Sequence, residues 1–321
     1  MGFQKNLLIV LFMTMMMLYS RGKAQATIYT YTTITDPNTT VGTSASGING
    51  SGAIVGSYST NSGTYGFLDQ NGSFTTINDS NATQGTFVYG INAAGAIVGS
   101  YSTNSGTYGF LDQNGSYTTI SDPNAAQDTT ANGINRAGAI VGNYSNGLGY
   151  YGFLYQNGSY TTISDPNATV GTSANGINGS GAIVGSYSTN SGTYGFLDQN
   201  GLFTTISDPN ATQGTIAYGI NGSGDIIGSY STNSGTYGFL DQNGLFTTIT
   251  VTGNYLTQAT GINDAGDIVG TYGNDSGFNG FLATPIVSAT PEPSTWLLFG
   301  TGMLLLGVIS RNKQKNLLHK A

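Results

Sequence analysis

The sequence predicts an all-β fold, and three observations support this prediction. The chain has 321 residues, of which 50 are glycine, 21 tyrosine and 14 phenylalanine, while only 7% are charged. Aromatic and β-branched residues favour strands. Short runs of them are separated by glycine-containing turns, and the same pattern recurs along most of the chain. Disordered chains lack such aromatic content, so the low charge does not indicate disorder.

The recurring pattern has a period of 43 residues. The tripeptide Gly-Ile-Asn occurs at four successive spacings of 43 residues and a last spacing of 42. The segment GAIVGSYSTNSGTYGFLDQNG begins at Gly52 and recurs without change at Gly95 and Gly181. Such identity indicates duplication of one structural unit. The repeats start near Gly47, Gly90, Gly133, Gly176, Gly219 and Gly261.

Each repeat predicts four strands joined by tight turns. In the second repeat we expect strands over 87–92, 96–101, 107–111 and 117–121. Asn92 to Gly95 and Asp112 to Gly115 predict type I turns, because the glycine supplies the left-handed conformation that returns an antiparallel partner. Each repeat is therefore expected to form a four-stranded meander that must pack on its neighbours.

Four strands in about 43 residues are typical of one blade of a β-propeller. A strand over 29–35 precedes the first repeat, and the last repeat ends after Leu282 without an outer strand. We therefore expect residues 27–284 to form a six-bladed β-propeller in which the first strand completes the last blade and leaves no open sheet edge. An open solenoid and a parallel β-helix are the alternatives, although β-helix coils are usually shorter than 43 residues.

The first 26 residues have the features of a signal peptide. Lys5 gives a small positive region, an apolar run follows from Leu7 to Leu18, and Ala24 and Ala26 form an A-x-A cleavage pattern. An uncleaved membrane anchor is the alternative, but the apolar run is short for a membrane span. We expect export.

The C-terminal segment combines three features in a fixed order. A linker over 285–294 carries a Pro-Glu-Pro triplet, a single hydrophobic helix is predicted over 295–310, and residues 311–321 form a basic cytoplasmic tail. At about 1.5 Å per residue, the uncharged run from Trp296 to Ile309 spans roughly 21 Å, which is short for a typical membrane core of about 30 Å. The glycines within the run argue against a buried globular helix.

These three features resemble the PEP-CTERM sorting signal of Gram-negative bacteria. The resemblance covers about the last tenth of the chain and implies processing at the membrane by an exosortase, a transpeptidase-like membrane enzyme. It implies that Pro291, Glu292 and Pro293 are recognised and that Arg311 begins the stop-transfer cluster. The membrane helix would then be transient, and the mature protein would reside at the cell surface or in the extracellular matrix.

The repeats themselves resemble the HAF family of extracellular repeats. The shared features are GIN-x-x-G-x-IVG-x-Y and GFL, and they extend over 47–282. The resemblance implies no particular chemistry. The repeats lack the Trp-Asp and Gly-Gly signatures of WD and kelch repeats.

The charge distribution excludes nucleic acid as a partner. Between residues 27 and 290 Arg136 is the single basic residue and faces fourteen aspartates. A surface this acidic repels phosphate backbones. The chain has no cysteine, so disulfide and thiol chemistry are excluded.

We expect no enzymatic activity and no cofactor. The region between the two terminal signals has no His, Glu or Lys, and most of its aspartates recur at equivalent turn positions, where such side chains usually bond their own backbone. A carbohydrate-active enzyme that uses a pair of aspartates stays open as an alternative. The turn aspartates are Asp69, Asp112, Asp198 and Asp241 in the DQNG turns, and Asp36, Asp122, Asp165 and Asp208 in the DPN loops.

Two kinds of binding site are compatible with the sequence. Asp264, Asp267 and Asp275 form the densest cluster of oxygen ligands for calcium, although an ordinary solvated turn is the alternative. Polar loops followed by an aromatic residue offer repeated glycan contacts that could act together, with core packing of the tyrosines as the alternative. The glycan candidates are Asn61, Tyr65, Asn104, Tyr108, Asn190 and Tyr194.

These observations favour an exported, non-enzymatic repeat protein with a structural or adhesive, glycan-binding role. The PEP-CTERM resemblance implies extracellular polysaccharide as a partner. The alternatives are the aspartate-dependent enzyme named above and a propeller that keeps its C-terminal helix and stays in the membrane.

Overall fold

The computed structural model describes residues 28–274 and 277–286. Its regular elements in these ranges are 24 β-strands, and the described part contains no helix. The prediction of an all-β fold is confirmed there. Within the same ranges no helix has the length and apolar character needed to cross a membrane. The predicted signal peptide and C-terminal helix lie outside the described residues.

The strands form six four-stranded units in chain order. Unit 1 contains β2 (Gly42–Ile48), β3 (Ile54–Thr60), β4 (Gly63–Gln70) and β5 (Ser73–Ile77). Unit 2 contains β6 (Gly85–Ile91), β7 (Ile97–Thr103), β8 (Gly106–Gln113) and β9 (Ser116–Ile120). Unit 3 contains β10 (Asp128–Ile134), β11 (Ile140–Ser145), β12 (Tyr150–Gln156) and β13 (Ser159–Ile163). Unit 4 contains β14 (Gly171–Ile177), β15 (Ile183–Thr189), β16 (Gly192–Gln199) and β17 (Leu202–Ile206). Unit 5 contains β18 (Gly214–Ile220), β19 (Ile226–Thr232), β20 (Gly235–Gln242) and β21 (Leu245–Ile249).

Unit 6 is built from both ends of the described chain. It contains β22 (Leu256–Ile262), β23 (Ile268–Asn274), β24 (Gly277–Pro285) and β1 (Tyr29–Ile34). Strand β1 is antiparallel to β24, with Tyr29 opposite Pro285 and Ile34 opposite Gly280. Because β1 covers the outer side of β24, no unit is left with three strands.

The first strand of each unit, the inner strand, contacts the inner strands of both neighbouring units, and the inner strand of unit 6 contacts that of unit 1. Glycine permits this close approach. A Cβ atom on Gly47 would lie 2.9 Å from the carbonyl oxygen of Tyr89 in the next unit. The glycine of each Gly-Ile-Asn triplet occupies the equivalent position, which explains why it recurs.

The hydrophobic core lies between neighbouring units. Ala53 and Val55 of unit 1 pack in one cluster with Ile91, Ile97 and Phe110 of unit 2. Equivalent clusters recur around the structure. Since each unit covers only part of its own apolar surface, it depends on its neighbours for burial. The fully buried phenylalanines are Phe67, Phe110, Phe153, Phe196, Phe239 and Phe281.

One of the two predicted turns differs in type from the prediction. At Asn92 to Gly95, the Gly95 N–H donates to the Asn92 carbonyl oxygen at 3.0 Å, and Gly95 has φ +83°, as expected. After Asp112, however, Gln113 pairs directly with Ser116, and both intervening residues have positive φ, 56° for Asn114 and 86° for Gly115. This is the pattern of a type I′ turn, whose twist matches that of the flanking strands in a two-residue hairpin.

The asparagines of the Gly-Ile-Asn triplets form a cycle of hydrogen bonds, the asparagine ring. The side-chain amide of Asn49 donates to the Asn92 carbonyl oxygen at 3.3 Å, and that of Asn92 to Asn135 at 3.2 Å. The chain continues through Asn178 and Asn221. It ends where Asn263 donates to the Asn49 carbonyl oxygen at 3.3 Å, which returns the cycle to its start.

Candidate functional site

A β-bulge in the inner strands directs side chains toward the centre of the arrangement. In β2 the register shifts between Ala45 and Gly47, so Ser46 has no direct partner on β3. The shift recurs at the same place in the other five inner strands. A bulge re-aims the side chain of the extra residue. Ser46 and its equivalents therefore lie beside a central cavity.

This axial cavity has a volume of about 510 Å³. Its lining comes mainly from the third and fifth residues of the inner strands, with two residues from neighbouring second strands. None of the lining residues, all within the described ranges, is charged. They are Ser44, Ala45, Ser46, Tyr89, Thr130, Asn132, Asn143, Ser173, Asn175, Tyr218, Gln258, Thr260 and Thr271. A second cavity of about 80 Å³ follows among the Gly-Ile pairs of the inner strands.

On one side of the axial cavity the polar groups are already paired. The Asn143 side-chain oxygen accepts hydrogen bonds from Thr130 Oγ1 at 2.7 Å, Asn132 Nδ2 at 2.9 Å and Ser173 Oγ at 3.3 Å. Asn132 also donates to the Ala174 carbonyl oxygen in the next unit at 2.9 Å. These bonds fix the orientation of the amides that face the cavity.

The opposite side of the cavity has unpaired donors and acceptors. Within the described part of the chain, the side-chain hydroxyls of Ser44 and Ser46 and the side-chain amide of Gln258 have no hydrogen-bond partner. Thr260 is paired, because its hydroxyl donates to the Ala45 carbonyl oxygen at 2.9 Å. The unpaired groups are available to a polar ligand.

Two tyrosines line the axial cavity from different units. Burial raises the pKa of the Tyr89 phenol, and its hydrogen bond with Ser100 acts in the opposite direction. Ser100 Oγ donates to the Tyr89 hydroxyl oxygen at 3.4 Å. Burial likewise raises the pKa of Tyr218, against a hydrogen bond with Ser229. Both phenols are therefore neutral near pH 7.

The arrangement suits binding better than chemistry. It offers hydroxyls, amides and phenols, which donate and accept hydrogen bonds without carrying charge. General acid–base catalysis near neutral pH needs a group whose pKa lies near the working pH, and a nucleophile needs an activating base. The residues that line the axial cavity include no such pair.

The predicted calcium residues are only partly within the described ranges. Asp264 Oδ1 accepts a hydrogen bond from the Gly222 N–H at 2.7 Å, and Asp267 Oδ2 accepts one from Asn263 Nδ2 at 3.0 Å. Asp275 lies outside the described residues. Among the residues the structure describes, no three acidic, histidine or cysteine side chains are grouped closely enough to hold a metal ion.

The predicted glycan asparagines lie on the turns between the second and third strands, the predicted tyrosines lie near the start of the third strands, and none of them lines the axial cavity. Asn61 is exposed, and its backbone N–H donates to Thr40 Oγ1 at 3.0 Å. Tyr65 stacks on Tyr58 with ring centroids 5.6 Å apart and packs against a core cluster. Asn104 and Asn190 occupy the equivalent turns, and Tyr108 and Tyr194 stack in the same way.

The turn aspartates are engaged with their own backbone. Asp112 Oδ1 accepts from the Gly115 N–H at 2.6 Å, and Asp36 Oδ1 accepts from the Asn38 N–H at 2.8 Å. Four buried carboxylates of the DPN loops keep a second oxygen that has no protein partner in the described ranges, namely Asp36, Asp122, Asp165 and Asp208. They lie in four different loops and do not form one site.

The residues of the predicted terminal signals fall outside the described ranges. These are Ala24 and Ala26 at the predicted cleavage site, and Pro291, Glu292, Pro293 and Arg311 in the sorting segment.

Comparison with known proteins identifies the C-terminal segment but not the repeats. Residues 289–314 match the PEP-CTERM protein-sorting motif. No curated protein matches the chain. The HAF resemblance of the repeats is not shown by these comparisons and stays a prediction.

Several solved structures are similar in outline. A gluconolactonase from Xanthomonas campestris is 15% identical, with 82% of this chain and 96% of that chain covered and a TM-score of 0.48. Virginiamycin B lyase from Staphylococcus aureus is 12% identical, with 79% and 99% covered and a TM-score of 0.47. The sialidase of Trypanosoma rangeli is 8% identical, with 83% and 60% covered and a TM-score of 0.49. At these values the similarities carry no argument about activity.

Proposed function

We propose that the chain is an exported, exosortase-sorted and non-enzymatic protein of the cell surface or extracellular polysaccharide matrix, with an adhesive, glycan-binding role. The observation that carries the binding role is the axial cavity, which is uncharged and lined by hydroxyl, amide and phenol groups. Sugars present many hydroxyl groups that need such partners, and an aromatic face covers their apolar side.

We further propose that the six units are the blades of one closed β-propeller. The asparagine ring, which returns to Asn49, supports this interpretation, as does the pairing of β1 with β24. A variant that lacks residues 27–36 tests it. Loss of β1 would leave β24 with an exposed edge, so we expect a lower melting temperature and self-association. Melting behaviour unchanged from the full chain would contradict a closed ring.

The match of residues 289–314 to the PEP-CTERM motif supports export and sorting to the envelope of a Gram-negative bacterium. The direct test is mass spectrometry of the mature protein together with cell fractionation. We expect removal of the first 26 residues, a new C-terminus near Pro291 to Pro293, and recovery of the protein outside the inner membrane. An intact C-terminus at Ala321 would show instead that the protein stays anchored in the membrane.

The absence of a catalytic pair at the axial cavity supports a non-enzymatic role. The test incubates the mature protein with polysaccharide of the producing strain and follows the release of reducing ends. We expect none above the background of a heat-denatured sample. Turnover that is lost in an Asp→Asn variant would establish the aspartate-dependent enzyme instead.

A further inference from the structure

Within the inner strands, the six units differ from one another mainly where they meet the axial cavity. Each inner strand retains Gly-Ile at its end and Thr at the second position, and five of the six retain Ala at the fourth position, where unit 2 has Val88. The third and fifth residues vary freely between units. In chain order the third residues are Ser44, Phe87, Thr130, Ser173, Ile216 and Gln258, and the fifth residues are Ser46, Tyr89, Asn132, Asn175, Tyr218 and Thr260.

The aromatic residue at the fifth position recurs after three units. Tyr89 of unit 2 corresponds to Tyr218 of unit 5, whereas the fifth residues of the other pairs of units three apart differ. In a cycle of six inner strands, units 2 and 5 lie on opposite sides of the axis. Both tyrosines line the axial cavity. The cavity is therefore flanked by an aromatic hydroxyl group on each of two opposite sides, with amides and hydroxyls between them.

We infer that the axial cavity is a binding site for a neutral oligosaccharide, and that it discriminates against acidic sugars. The inference rests on the proposed glycan-binding function of this cavity and adds the class of sugar that the cavity accepts. Tyr89 and Tyr218 supply the aromatic rings, and the unpaired side chains of Ser44, Ser46 and Gln258 supply the hydrogen-bonding groups.

The selectivity for a neutral ligand follows from charge. A uronate or sulfate group that enters the axial cavity loses hydration, and none of the lining residues is a cation that could replace it. The surroundings add repulsion, since fourteen aspartates face one arginine between residues 27 and 290. A neutral sugar avoids both the loss of charge hydration and the electrostatic repulsion, and its hydroxyls can form hydrogen bonds with Ser44, Ser46 and Gln258.

The size of the cavity is compatible with this ligand. Its volume of about 510 Å³ lies within the range of roughly 300–1,000 Å³ typical of small-molecule sites. The amides on the Asn143 side are held by the hydrogen bonds described above, so they need no reorganisation when a ligand binds.

The residues at equivalent positions of the other units show which substitutions the fold accepts. Tyr89→Ser and Tyr218→Ser place at the fifth position the residue that unit 1 carries as Ser46, and Ser46→Tyr does the reverse and fills the cavity. The matched control is Asn61→Ala together with Asn104→Ala on the exposed outer turns. Circular dichroism and thermal melting verify that each variant is folded.

The test measures binding of the mature protein to an array of neutral hexose oligosaccharides and matched uronate oligosaccharides, with titration of the best binder. We expect neutral binders only, a loss of affinity of about tenfold or more in the Tyr89→Ser/Tyr218→Ser and Ser46→Tyr variants, and no change in the control. Binding lost only in the outer-turn control would overturn the axial site but keep the glycan-binding function. A preference for uronates would overturn the selectivity, and no binding by the unmodified protein would overturn both proposals.

Discussion

The asparagine ring makes a sharp prediction about stability. In Asn135 the side-chain amide donates to the Asn178 carbonyl oxygen at 3.2 Å. Its side-chain oxygen accepts from the Ala137 and Ala139 N–H groups, both at 3.0 Å. Asn135→Ala removes all three hydrogen bonds at once and leaves the buried Ala139 N–H without a partner, whereas the Asn178 carbonyl oxygen keeps its hydrogen bond from the Gly181 N–H.

The expected loss can be worked out from these contacts. A buried donor or acceptor that loses its partner costs about 1–3 kcal/mol. The loss of the partner of the buried Ala139 N–H costs about 2 kcal/mol and the loss of the bond to Asn178 about 1 kcal/mol, so we expect Asn135→Ala to lower the free energy of unfolding by about 3 kcal/mol. For a domain of this size that corresponds to a fall in melting temperature of roughly 6–12 °C. Differential scanning calorimetry at pH 7 measures it, and Asn61→Ala on an exposed turn is the control.

A second variant separates the ring from the turn. Asn135→Asp keeps an oxygen that can accept from Ala137 and Ala139, but it replaces the donor to Asn178 with a second oxygen. We expect destabilisation at pH 7 that is relieved in acid, because the protonated carboxyl group regains a donor. Melting of Asn135→Asp that tracks the unmodified protein at every pH, or a shift below about 2 °C for Asn135→Ala, would refute the role assigned to the ring.

Three further predictions concern packing and titration. Gly56→Ala should strongly destabilise the protein in urea unfolding, because the new Cβ would collide with the Ser44 carbonyl oxygen and lie 2.8 Å from the Phe67 ring. The control, Gly50→Ala, has no atom within 4 Å of the new Cβ and should have little effect. Equal effects of the two substitutions would contradict this account. Desolvation raises the pKa of Asp112, so its carboxyl group binds a proton more readily in the folded state, and the stability that this proton contributes is lost as pH rises through the raised pKa. We expect Asp112→Asn to raise the melting temperature at pH 7 and to weaken the dependence of the melting temperature on pH between pH 7 and the acid range. A pH profile of the melting temperature that is unchanged in this variant would contradict the shift. Desolvation also raises the pKa of Tyr117 to about 12, so the stability that is complete below pH 10 should fall as pH rises toward 12. The tyrosinate absorbance of wild type should match that of Tyr117→Phe at pH 10 and exceed it by about half of one residue near pH 12. A difference of about half a residue already at pH 10 would refute the shift.

Much of the local structure could be predicted because the same pattern of strands and turns recurs in six repeats. In unit 2 the strands begin and end within about two residues of the expected positions, since glycine turns mark the boundaries. The prediction of a type I turn after Asp112 was wrong, because Asn-Gly is compatible with both type I and type I′ turns. The decisive feature was the number of residues between Gln113 and Ser116, which depends on how the strands pair.

The candidate site was harder to predict for a physical reason. The polar loops with a nearby aromatic residue predicted glycan contacts at Asn61 and Tyr65, yet the Tyr65 ring packs against Tyr58. The axial cavity is lined by strand residues whose direction depends on the bulge at Ser46, and a bulge leaves no clear mark in sequence. The available signal was the variation at two positions within otherwise repeated strands. It can be recognised only when the units are compared position by position.

The pairing of β1 with β24 also ties completion of the fold to completion of the chain. Thr30 and its partner Thr284 are 254 residues apart, so the last unit can form only after nearly the whole polypeptide has been synthesised. Contacts this distant in sequence form slowly, and an incomplete chain stays exposed to aggregation meanwhile. A polypeptide truncated before β24 leaves β1 without its partner. We therefore expect premature termination to yield an open, protease-sensitive product rather than a smaller folded one.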